Sequence, residues 1–134
     1  MGIRSDLDAN FDYEIVDEFL DHFAMMVENM EIMILDLKKP NMFEQSVNEL
    51  FRVFHNVKSA TSYLKIEPMA KLSGFVEDAL EILRANHESV SEETITWLIS
   101  ISDMYAQWNE DFKLNNSLSH IKYTLLKLPD LDKK

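Results

Sequence analysis

His55 stands in the stretch FRVFHNVKSATSYL, residues 51–64, three positions before Lys58 and ahead of the small residues Ser59, Ala60 and Ser62. A neutral imidazole nitrogen can attack a phosphoryl group, hold it and hand it on. The phosphoryl oxygens are negative, and an ammonium one helical turn away is placed to offset them. A carboxylate on the second ring nitrogen would fix the tautomer and support the positive charge that develops on the ring. Glu77 is the candidate for that carboxylate. It follows Val76 at the margin of an apolar stripe and shares a flank with Ala70, Ser73 and Gly74. A glycine inside a helix costs about 1 kcal/mol relative to alanine, so Gly74 marks close packing, here against the His55 segment.

These residues must be carried by helices. The chain has 134 residues, two glycines and three prolines, and no long stretch alternates with period two. Apolar residues recur at steps of three and four from about Asp12 to Leu37, through Val16, Phe19, Phe23, Met30 and Ile34. Lys38, Lys39 and Pro40 end that segment. A second helix is expected from about Met42 to Leu64, with Asn41 as its N-cap and Glu44 completing a capping box. Its inward stripe is Val47, Leu50, Phe51, Phe54, Val57, Thr61 and Leu64, which leaves His55 about 100° round from Phe54, at the stripe's edge. A third runs from Pro68 to about Ala85, and a fourth starts after Ser91, with Leu98, Ile101, Tyr105, Trp108 and Phe112 facing inward. A short fifth helix is expected over about Ser117 to Leu128. The expectation is an all-α, antiparallel up-down four-helix bundle with an additional short C-terminal helix, occupying 1–128 as one domain, with 129–134 a polar, frayed tail.

Composition narrows the function. The formal net charge is -11, and the lysines and arginines form no basic patch, so neither nucleic acid nor an anionic membrane is an expected partner. Cysteine is absent, which excludes thiol nucleophiles and thiolate metal sites and suits a reducing, cytoplasmic setting. No apolar run is long enough to span a bilayer, and the first residues carry no secretory h-region. No glycine-rich phosphate loop and no triad signature occurs, so the chain is not expected to be an enzyme with its own ATP site. His22 is expected to be partly buried beside Phe19 and Phe23, His87 to lie in a loop, and His120 to be a packing or surface residue of the fifth helix. The methionines of the first helix are read as core filling, and Trp97 as an exposed aromatic beside the stripe that Leu98 carries.

The motif Leu50-Phe51-Arg52, His55, Lys58-Ser59-Ala60, followed by Glu77-Asp78-Ala79-Leu80, resembles the histidine phosphotransfer (Hpt) domain family. It is similar also to the N-terminal phosphotransfer domain of chemotaxis histidine kinases. The resemblance implies a carrier in a two-component phosphorelay, phosphorylated at His55 through Nε2. It further implies that Lys58 stabilises the phosphoryl group and that Glu77 orients the imidazole. The implied partners are a response-regulator receiver domain and a histidine kinase. No cofactor is expected on this chain, since the divalent metal belongs to the partner, and the chain is expected to act as a monomer. Phe51, Arg52, Lys58, Ser59 and Ser62, with nearby parts of the first helix, are the expected docking surface. The chain departs from the pattern at three places: Gly74 stands where chemotaxis-kinase domains have a second histidine, Ser59 where a glycine is usual, and Tyr63-Leu64-Lys65 where a glycine often closes the helix. The alternative is a degenerate Hpt-like bundle, or a helical adaptor, that binds a signalling partner without phosphorylation.

Overall fold

The computed structural model describes residues 2–86 and 88–132. Five α-helices follow one another: α1 (Ile3–Asn10), α2 (Tyr13–Asp36), α3 (Phe43–Tyr63), α4 (Glu67–Asn86) and α5 (Glu92–Leu114). A short 3-10 helix, Tyr123–Leu126, comes after them. Helix α2 starts where the Asp12 side chain accepts the Glu14 N–H, and α5 where the Ser91 hydroxyl accepts the Thr94 N–H. Glu92 and Glu93 then face the positive end of α5. Helices α3 and α5 each end on a residue with left-handed backbone, Lys65 at φ 59° and Asn115 at φ 53°. These let the Ile66 and Asn116 N–H groups reach back to the Thr61 and Asp111 carbonyls, as in the usual helix stop.

Helices α2 to α5 form the bundle. Contacts between neighbours run in opposite directions along the two helices: Phe51 meets Arg84, His55 meets Glu77 and Lys58 meets Glu77 across the α3–α4 seam. Phe19 and Phe23 meet Phe112 and Tyr105 between α2 and α5. Helix α5 reaches α4 through large side chains, Trp97 on Phe75 and Tyr105 on Ser73. Phe23, Phe54, Leu50, Leu72, Leu80, Leu98, Tyr105 and Trp108 are fully buried, and each such apolar side chain contributes about 1.5–3 kcal/mol. Nearly every residue expected to face inward on the four main helices does so, with Leu20, Met26, Val27, Met33 and Phe51 half-buried.

Several local expectations are overturned. Asn41 does not cap α3: Met42 holds that position and no side chain caps the helix. Consecutive tight turns, closed by backbone bonds from the Leu37, Lys38, Lys39 and Met42 N–H groups, carry the chain over from α2 to α3. The short C-terminal helix is present, but as a 3-10 helix confined to Tyr123–Leu126 rather than spanning Ser117 to Leu128; residues 117–122 before it are not helical. Backbone groups of this segment bond to α5. The Trp108 indole donates to the Ser119 carbonyl (2.8 Å), the Trp97 indole to the Leu125 carbonyl (2.9 Å), and Asp111 accepts the Ser119 N–H (2.8 Å). Trp97 is therefore buried, not exposed. His22 is exposed, His120 lies exposed on the extended strap, and His87 falls outside the described residues.

Helix α1 was not foreseen. It buries Leu7 only, and its first amides borrow acceptors from the far end of α5: Ile3 N–H to Asn116 O (2.8 Å) and Ser5 N–H to Asn115 Oδ1 (3.0 Å). Gly2 permits that approach, because a Cβ there would overlap the Asn115 backbone.

Candidate functional site

The His55–Glu77–Lys58 group sits on the α3–α4 seam. His55 leaves α3 at the edge of its buried stripe, so its side chain is 53% exposed while Phe54 beside it is sealed. Glu77 leaves α4 toward the same seam and is 5% exposed. Its Oε2 lies 2.5 Å from His55 Nδ1, and its Oε1 accepts from the Lys58 ammonium. One buried carboxylate thus binds both cation-forming side chains of the motif, one oxygen each. Burial works to raise the Glu77 carboxyl, but the hydrogen bonds from Lys58 and His55 and their charge outweigh it and hold Glu77 below the usual carboxylate range.

This geometry defines the ring chemically. With Glu77 an acceptor, the neutral imidazole carries its proton on Nδ1 and donates it. The lone pair is then on Nε2, for which no partner exists among the described residues. The Phe51 ring lies nearly parallel to the His55 ring (centroids 6.3 Å apart, 12° between planes), and the Arg84 guanidinium sits 3.9 Å over Phe51. Arg52, Ser59 and Ser62 are exposed on the flank of α3, and Phe51 is half-buried. On the other side of His55 an open groove runs between α2 and α3, lined by Ile15, Phe19, Met25, Met26, Asn56 and Ala60. Ile15 and Met25 are among the exposed large apolar residues of the chain.

The Hpt domain family model matches residues 14–119 of the chain. The chain belongs to the Hpt domain family. The match takes in α2 to α5 and the start of the strap, and it leaves α1 outside. Hpt domains act as phosphoryl carriers in phosphorelays, without a complete catalytic site of their own, and they interact with receiver and kinase domains. Comparisons with curated proteins and with solved structures found no match. No described helix is long and apolar enough to cross a membrane.

Of the residues singled out by sequence, the Hpt fold brings His55, Lys58 and Glu77 into direct contact and sets Phe51 against the ring. Arg52, Ser59 and Ser62 share the helix but make no side-chain bond among the described residues. Sequence reasoning missed Arg84. The signal was available: Arg84 follows Glu77 by seven residues, two turns along one face of α4. Sequence reasoning placed nearby parts of α2 in the docking surface without naming residues there, since Ile15 and Met25, which line the groove, fall outside the inward stripe.

Proposed function

We propose that this Hpt domain carries a phosphoryl group on His55 Nε2 between a phosphorylated donor and a response-regulator receiver domain. The Nε2 lone pair attacks phosphorus, and the bond from phosphorus to the donor oxygen breaks. The oxygen leaves as an aspartate carboxylate on a receiver, or as ADP on a kinase. Glu77 orients the ring and, through the Nδ1–H bond, supports the positive charge that the attack places on it. Lys58 exchanges Glu77 for the phosphoryl oxygens and offsets their charge. The return step reverses these moves, with a receiver aspartate as nucleophile. The divalent metal and its acidic ligands belong to the receiver. Arg52, Ser59 and Ser62, the Phe51 edge and the α2–α3 groove form the docking face, which a monomer offers whole. Because ATP feeds the relay, the carrier works in the cytoplasm.

The observation that carries this reading is a ring half open to solvent whose other nitrogen is held by a buried, ion-paired carboxylate. Incubation with a phosphorylated receiver, or with a cognate kinase and ATP, tests it. Wild type gains an acid-labile, base-stable label and His55→Gln gains none. A wild type that binds receivers yet never takes label would instead make the chain an adaptor.

A further inference from the structure

Gly74 stands beside the site with no role so far. Its backbone is ordinary helix, since no glycine among the described residues has a positive φ. Conformation therefore does not require glycine, and helix propensity argues against it. What the position supplies is room. A Cβ at Gly74 would stand 3.3 Å from Lys58 Cδ and 4.0 Å from Lys58 Cγ, the first tighter than ordinary van der Waals contact. The Lys58 stem thus crosses α4 at the bare Gly74 Cα, and its ammonium reaches Glu77 one turn further along. A lysine side chain has many rotamers, and holding one of them needs a physical guide.

We propose that Gly74 is a positioning residue for phosphoryl transfer: the trough it leaves in α4 guides the Lys58 stem, so that one ammonium rests on Glu77 beside the His55 ring and stays within reach of phosphoryl oxygens on that ring. The inference builds on the carrier reading of His55. A methyl group in the trough pushes the stem outward by a few tenths of an ångström and loosens the ammonium from Glu77. The loss is graded, because the obstacle meets the middle of a flexible side chain and leaves both charged groups in place.

The test is Gly74→Ala in the full chain, beside Lys58→Met and the double variant. Alanine is the better helix former, so the variant folds, and a thermal melt verifies this. The first readout is the carbon-13 titration of the Glu77 carboxyl. Its midpoint should rise in Gly74→Ala, in the same direction as in Lys58→Met but by less; an unchanged midpoint overturns the proposal. This readout needs no phosphorylation, so it decides the matter even if His55 takes no label, the result that would instead sink the carrier reading. The second readout is the decay of phosphorylated His55. Gly74→Ala should decay about threefold faster than wild type, the scale of one weakened charge-assisted hydrogen bond, and should add nothing in the Lys58→Met background. Equal acceleration in both backgrounds marks a general structural effect, and that or any other pattern overturns the proposal.

Discussion

Glu77 and Asp111 are both buried carboxylates held below the usual carboxylate range, yet their surroundings differ in kind. At Asp111 burial works to raise the carboxyl, and it is outweighed by hydrogen bonds from the Ser119 backbone and side chain, then Gln107 and Asn116. These partners are neutral, and the Ser119 backbone and both indoles tie the strap to α5. At Glu77 the partners are a half-exposed ring and a lysine, both free to take other partners. The same chemical group is thus held by fixed, neutral donors at Asp111 and by partly exposed side chains at Glu77.

The contrast breaks if the two carboxylates respond alike to neutralisation. Glu77→Gln should cut the rate of phosphoryl transfer to His55 by about tenfold or more, because an amide can present its NH2 to Nδ1 and favour the wrong tautomer. It should lower the thermal midpoint less than Asp111→Asn does, since the amide keeps the shape and the half-exposed Lys58 and His55 side chains can turn to water. Asp111→Asn should do the reverse. Losing a charged acceptor for buried donors costs about 2 kcal/mol, read by urea unfolding, while transfer to His55 stays within twofold of wild type.

Acid sharpens the comparison. Both carboxyls are depressed in the folded chain, so each contributes stability that is full above its unfolded pKa, near 4, and is lost as pH falls through the lower folded value. Urea midpoints should hold from neutrality to about pH 5 and then fall, and Asp111→Asn should flatten that fall. An equally steep fall in the variant would remove Asp111 from the account. The smallest effect is expected at Lys65, on the stop of the helix that carries His55. Its left-handed backbone is strained for lysine, and Lys65→Gly should raise stability by about 0.5–1 kcal/mol with transfer unchanged.

The four bundle helices were legible because their apolar residues repeat at three and four, and because Asp12, Ser91 and Pro68 mark starts. The grouping of His55, Lys58 and Glu77 was legible because the three gain meaning jointly, as an imidazole with one cation and one carboxylate at helical spacing. The strap was not. Leu118, Ile121 and Leu125 mimic a helical stripe, but two indoles and an aspartate from α5 bond the backbone at Ser119 and Leu125, partners that no local pattern reveals. Helix α1 was hidden for a related reason: it buries little, and Asn115 and Asn116 complete its start from more than a hundred residues away. Lys65 was visible as a missing glycine, and its positive φ shows that the turn kept its shape without one.

The clasp of Glu77 on Nδ1 settles a question of regiochemistry. His22 and His120 are exposed with neither ring nitrogen engaged among the described residues, so a small electrophile would modify them as a mixture of isomers. At His55 the same reagent meets a single basic nitrogen. The adduct there should be the tele isomer alone, and peptide mapping with an antibody to the pros derivative should find it at His22 and His120 but not at His55.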